Sequence, residues 1–140
     1  MDRRPELDVA FFNQLGHGHF PQFVGIVFDE VGDGVARATL ELRPEHLAPN
    51  GYLHAGTVVT LADTTAGYAC VAHLPEGATG FTTIELKTNF LGTARKGGLT
   101  CDARAAHLGR TTHVWDATVV ADGSDRPIAL FRCTQLLLYP

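Results

Sequence analysis

From His46 to Pro75, thirty consecutive residues, the chain carries one formally charged side chain, Asp63. No other stretch narrows the choice of fold as much. Within it, about His54 to His73 reads as a helix, roughly 30 Å long at 1.5 Å per residue, and apolar or small on almost every side. Such a helix has to be enclosed. Asp63, Thr60, Thr64 and Thr65 interrupt it too often for a membrane span, which needs about twenty mostly apolar residues, so the expectation is a buried helix wrapped by a sheet.

The rest of the chain supplies the wrapping. Pro5 to Leu15 spaces Leu7, Phe11, Phe12 and Leu15 three and four residues apart and predicts a short amphipathic helix stopped by Gly16. His17 to Gln22 reads as loop. Phe23–Val31 and Val35–Arg43 form a predicted hairpin around Gly32-Asp33-Gly34, and Pro49 with Asn50-Gly51 breaks the chain before the long helix. After it come Phe81–Leu91, Leu99–His107, Thr111–Ala121 and Ile128–Tyr139, four strands with short turn-rich separators, the pattern of an antiparallel meander. This is an α+β arrangement in a single domain over 1–140, with residues 1–22 as an N-terminal helix and loop and about 25–138 as the core. A sheet on one helix leaves an outer face and two edges to cover, so self-association is expected.

Composition excludes several functions. At 45% hydrophobic and 19% charged, the 140 residues can bury a core, and a net charge of −4 carries no basic footprint for nucleic acid. Asp8 and Asn13 break the early apolar stretch, so no signal-peptide core can be drawn and a cytoplasmic location is expected. Cys70, Cys101 and Cys133 are odd in number and far apart, which fits reduced core thiols. The histidines 46, 54, 73, 107 and 113 show neither an i, i+4 helical pair nor a carboxylate cluster, so no metal site is expected.

Asp63 is the sharpest chemical candidate. An ionised carboxylate in an apolar segment is costly unless it is hydrogen-bonded or opens into a pocket, so it is either a catalytic group or one satisfied by a nearby turn or a locally exposed face. The second feature is Asn50-Gly51-Tyr52-Leu53-His54-Ala55-Gly56, a turn running into the helix. The first N–H groups of a helix lack intrahelical acceptors, and the small Ala55 and Gly56 let a ligand oxygen approach them, as in an oxyanion hole. Ordinary helix-start packing is the alternative, and His54 can serve as a structural residue of that loop.

Asp63 lies eight residues beyond Ala55, about 12 Å along one helix. A catalytic base must come within about 3 Å of the reacting atom, directly or through one water. If both act on one carbonyl, Asp63 must come from a neighbouring subunit. In the next strand, alternation puts Thr82, Ile84, Leu86, Thr88 and Phe90 on one face and Thr83, Glu85, Lys87 and Asn89 on the other. A hydroxyl there could orient a water for Asp63.

The stretch NGYLHAGTVVTLADTTAGY (50–68), with FTTIELKTNFLGTARKG (81–97) and His107-Leu108-Gly109-Arg110-Thr111, closely resembles hotdog-fold acyl-CoA thioesterases of the phenylacetate-degradation, PaaI-type group. The likeness runs from about Gly25 to Leu138. It implies a hotdog fold, a long helix wrapped by a curved antiparallel sheet, pairing into homodimers and commonly homotetramers. It further implies that Asp63 is the general base or nucleophile on a thioester. The Ala55 N–H of the other subunit would polarise the carbonyl, His54 would shape the loop and Thr83 would help position water.

The chain departs from the group at two places. Alanine stands at position 55 where glycine is usual, which a backbone donor tolerates. Ala48 stands six residues before the histidine, where Asn or Gln is usual, making Asn50 the candidate substitute. Coenzyme A would arrive as part of the substrate, with no separate cofactor, its phosphates near Arg95, Lys96 and Arg110. Two other readings share the fold: a non-catalytic acyl-CoA binding module, and a hydratase or dehydratase using the His19 of His19-Phe20-Pro21, a triplet otherwise expected to be loop.

Overall fold

The computed structural model describes residues 3–140. Its first helix, α1 (Val9–Leu15), begins later than the apolar spacing predicts because Asp8 caps it, accepting the Phe11 N–H at 2.8 Å. The expected loop at His17–Gln22 is instead partly helical. A short α2 (Phe20–Val24) has Pro21 in its first turn, where proline is tolerated, and His19 as N-cap. It takes up Phe23 and Val24, so strand β1 (Ile26–Gly32) starts later than predicted and turns at Asp33-Gly34 into β2 (Val35–Glu41). Gly34 adopts φ +68°, and its N–H donates to His73 Nε2 at 2.9 Å, pinning the hairpin to the end of the long helix.

That helix, α3 (Ala55–Ala72), follows a single 3₁₀ turn at Pro44–His46 and matches the predicted span to within one residue at each end. Arg4 reaches its far end, donating to the Leu74 and Pro75 carbonyls where a cation is favoured. Strands β3 (Gly80–Phe90), β4 (Gly98–Leu108), β5 (Thr112–Ala121) and β6 (Pro127–Leu138) complete one antiparallel sheet ordered β1-β2-β4-β5-β6-β3. All six strands touch α3.

Two features differ from the strand pattern. The meander holds for β4, β5 and β6 only, because β3 pairs with β6 and forms an edge of the sheet. Residues 91–97 carry the chain back across two strands, about 14 Å at the usual strand spacing, which a segment of that length spans easily. The second difference is a bulge between Thr83 and Glu85. Phe81 and Thr83 pair with Leu137 and Gln135, and after the bulge Leu86, Thr88 and Phe90 pair with Cys133, Phe131 and Ala129. Paired residues share a face, so Thr83 joins Leu86, Thr88 and Phe90 on the helix side, and the predicted grouping of these three with Thr82 is reversed by one inserted residue.

The core lies between the sheet and α3. Ala62, Ala66 and Ala69 keep the helix close to the sheet, and Leu99, Trp115, Val119 and Phe131 fill the facing surface. On the side toward α1, the rings of Phe12, Phe28 and Tyr68 form a triangular cluster, with Tyr68 stacked on Phe12 and on Phe28 at centroid distances of 5.1 and 4.9 Å. Asp63 lies on the other side, toward the β3 edge.

Candidate active site

The N-terminus of α3 is built by the loop before it. His46 is buried: its Nδ1 accepts the Arg43 N–H at 2.9 Å, so its Nε2–H donates to the Val24 carbonyl at 2.8 Å. Its own carbonyl accepts the His54 N–H and the Thr57 hydroxyl. Thus braced, His54 becomes the N-cap of α3, with Nδ1 accepting the Gly56 N–H at 2.8 Å. That bond places the ring proton on Nε2. It also uses the Gly56 N–H internally, so of the two proposed oxyanion donors only the Ala55 N–H has no acceptor among the described residues. Gly56 is small for the sake of the imidazole: a Cβ there would stand 2.9 Å from His54 Nδ1. His54, Ala55 and Gly56 are all exposed.

Asp63 is half-buried on α3 and makes no ion pair among the described residues. Burial raises its carboxyl above the ordinary range, and the Thr83 hydroxyl, donating to Oδ1 at 3.4 Å, opposes that rise. A carboxylate held by one hydroxyl and otherwise undersolvated suits proton abstraction near neutral pH. On the continuous α3 it remains eight residues from Ala55, about 12 Å along the axis. The edge beside it is long, and it exposes Ile84 (57%), Leu86 (42%) and Phe90 (48%) between Glu85, Lys87 and Asn89 on a strand that has one partner. Such an edge invites a second chain.

The remaining candidates divide between the two ends of β4. Asn50 caps its own turn, its Oδ1 accepting the Tyr52 N–H at 3.1 Å. Thr93 ties the β3–β4 connection to this loop, accepting the Leu53 N–H at 3.2 Å, and the Arg95 guanidinium lies 4.5 Å from the centroid of the Tyr52 ring. Arg95 and its exposed neighbour Lys96 therefore rim the donor loop. Arg110 lies beyond the opposite end of the 11-residue β4, roughly 35 Å away along the strand, so within one chain the three cations do not form a cluster. His19 is exposed and its side chain makes no capping bond. Next to Gly56, Thr57 and Thr60 a cavity of about 410 Å³ opens toward Phe20 and Phe23 of α2.

The sequence model of the thioesterase superfamily matches residues 50–128, a stretch that holds the donor loop, α3, Asp63 and Thr83. The chain belongs to the thioesterase superfamily. A relative from Pseudomonas aeruginosa is 35% identical over 136 residues, covering 95% of this chain and 88% of that protein. A solved structure of a mutant thioesterase from the same organism matches with a TM-score of 0.93 at 29% identity, covering 100% of both chains. The 1,4-dihydroxy-2-naphthoyl-CoA hydrolase of Escherichia coli is 31% identical over 117 residues, 81% of this chain and 83% of that one. The Escherichia coli PaaI protein of the phenylacetic acid degradation operon has a TM-score of 0.76 at 27% identity, covering 84% and 83%. This thioesterase has the hotdog fold of its family, and its activity is thioester hydrolysis.

Residues that the sequence did not single out also shape the thioesterase site. His46 and Thr93 brace the donor loop: His46 lies outside the quoted motifs, and Thr93 lies within 81–97 but carries no mark of its own there, since its bond to the Leu53 N–H is set by loop packing. Gln135 carried a readable signal: in β6 the inward positions are Ala129, Phe131, Cys133, Gln135 and Leu137, and a lone amide among them is out of place. No helix among the described residues is long and apolar enough to cross a membrane.

Proposed function

We propose that this thioesterase hydrolyses acyl-CoA thioesters in the cytoplasm, at a site assembled from two copies of the chain. The carrying observation is that Asp63 and the Ala55 N–H share one unbroken helix about 12 Å apart, so neither serves the other within one chain. A second copy docked on the unpaired β3 edge would bring its own donor loop toward Asp63, and that edge, with Ile84, Leu86 and Phe90 exposed next to Thr83, supports a dimer as the working unit. A tetramer would then pair two such dimers.

In this reading Asp63 of one subunit takes a proton from water while the water oxygen attacks the thioester carbonyl. The partner's Ala55 N–H receives the developing negative charge, with the His54 Nε2–H beside it as a second donor. The tetrahedral intermediate collapses, the carbon–sulfur bond breaks, and the thiolate of coenzyme A recovers a proton from Asp63. The products are the free acid and coenzyme A. No further cofactor is asked for. Arg95 and Lys96, at the rim of the donor loop, would meet coenzyme A phosphates, and the cavity facing Phe20 and Phe23 would offer apolar surface to the rest of the substrate.

Mixing two impaired variants tests the composite site. Asp63→Asn and His54→Ala homodimers are each expected to keep no more than about a tenth of wild-type activity on a panel of aryl-CoA and straight-chain acyl-CoA thioesters. After dissociation and reassociation at equal amounts, half the dimers are mixed, and each mixed dimer has one site with both wild-type groups, so about one quarter of wild-type activity returns. Failure to regain activity despite proven subunit exchange would exclude a shared site.

A further inference from the structure

Gln135 is fully buried, and neither its amide oxygen nor its amide nitrogen meets a hydrogen-bond partner among the described residues. It sits on β6 directly opposite Thr83 of β3 on one side and His113 of β5 on the other. Side chains paired this way share a face, with Cβ atoms about 5 Å apart. All three lie under α3, where a methyl group added at Gly67 would come within 3.9 Å of Gln135 Nε2. A buried amide left without partners is strongly unfavourable and calls for an explanation.

The two neighbours have needs that this amide can meet. Thr83 commits its hydroxyl proton to Asp63 Oδ1, leaving its oxygen lone pairs to accept. His113 Nδ1 lies 3.3 Å from Cys70 Sγ, and burial keeps that thiol protonated by pushing it up to about 12. The thiol donates, so Nδ1 accepts and the ring proton sits on Nε2, another buried atom without a partner. One orientation of the amide serves every open position: Oε1 toward His113 Nε2–H, and Nε2 toward Thr83 Oγ1. The Gly109 carbonyl also approaches the imidazole and is the competing acceptor for its proton.

We propose that Gln135 is a positioning residue for Asp63: oriented by His113, its amide donates to Thr83 Oγ1 through an enclosed water, and thereby commits the Thr83 proton to the Asp63 carboxylate. Donors then run in one direction along Cys70, His113, Gln135, Thr83 and Asp63. None of the first four changes charge. Without the amide, the Thr83 hydroxyl is free to turn away, and the carboxylate loses the one side-chain partner it has among the described residues.

This inference rests on Asp63 as the catalytic base, and the experiment separates the two. Gln135→Leu, Thr83→Val and the double variant are assayed for kcat and KM beside Asp63→Asn. Gln135→Leu should lower kcat about tenfold with KM unchanged and without lowering Tm, and in the Thr83→Val background it should cost nothing more. Wild-type kcat in Gln135→Leu, or losses that multiply in the double variant, would overturn the proposal. If Asp63→Asn keeps full activity, the catalytic reading itself falls; if it is inactive while Gln135→Leu is not impaired, only the role of Gln135 falls. Should Gln135→Leu not fold, Gln135→Met repeats the test. In the wild-type protein, ¹⁵N shifts of the His113 ring should show the Nε2–H form, and an Nδ1–H ring would also overturn the assignment.

Discussion

Alanine at position 56 should leave the thioesterase folded and nearly as stable while removing most of its activity. A Cβ at Gly56 would stand 2.9 Å from Nδ1 and 3.1 Å from Cε1 of His54. The imidazole is exposed and can swing aside, so the backbone stays helical and the His54–Gly56 cap is lost. Losing such a cap costs about 1 kcal/mol. Alanine in place of a helical glycine returns up to about 1 kcal/mol, so the two nearly cancel and Tm moves by only a few degrees, roughly. Activity has no such compensation. With Nδ1 released, the ring loses its fixed tautomer and direction, and a donor to a developing oxyanion is worth about 1.5–3 kcal/mol, or roughly 10- to 150-fold in kcat/KM. Acyl-CoA hydrolysis and thermal unfolding on the same preparation provide the assay. Wild-type kcat/KM in Gly56→Ala would refute the reasoning, as would a fall in Tm of more than about ten degrees, which would mean that the backbone and not the ring gave way.

Asp63→Asn should reduce kcat by about 10²- to 10⁴-fold, measured on the best acyl-CoA of a panel. Because burial raises the Asp63 carboxyl in the folded chain, its charged form destabilises the protein at neutral pH, so the same variant should melt higher at pH 7, with the gain shrinking as pH falls through the folded pKa toward 3.8 and below. His113 is fully buried and held down to about 4 by burial and the nearby His73, against an ordinary 6.5. The unfolded chain therefore takes up a proton that the folded one refuses, and about 3 kcal/mol of stability should drain away as pH drops from 6.5 to 4; urea melts of His113→Gln should show a shallower decline. Cys70, Cys101 and Cys133 are buried with their thiols pushed up to about 12, so iodoacetamide at pH 8 should label them only in denaturant. Leu86→Asp on the exposed edge should give a monomer by light scattering and abolish hydrolysis, and an active monomer would contradict the shared site.

The span of α3, the lone carboxylate within it and the small residues at its start were all legible in the residue order. Helix periodicity, the Asn50-Gly51 break and a single charge in an apolar run are local properties, and the eight-residue interval between Ala55 and Asp63 becomes a distance as soon as the segment is helical. Local signals also placed the four later strands to within about a residue at each end. What the tertiary structure alone decided depends on partners distant in sequence. β3 leaves the meander for the edge because Gly80 to Phe90 finds its ladder on β6, roughly forty to sixty residues later, and the residue order does not record which strand it pairs with. The bulge after Thr83 turns Leu86 toward the helix, and alternation carries no mark of an inserted residue. The Gly56 N–H is taken by the ring of His54, and Gln135 lies between Thr83 and His113, because rotamers and registers are settled by packing across the sheet. The residue order is enough to propose a carboxylate and a donor at opposite stretches of one helix; the three-dimensional contacts determine which N–H remains free and which buried side chains stand behind the carboxylate.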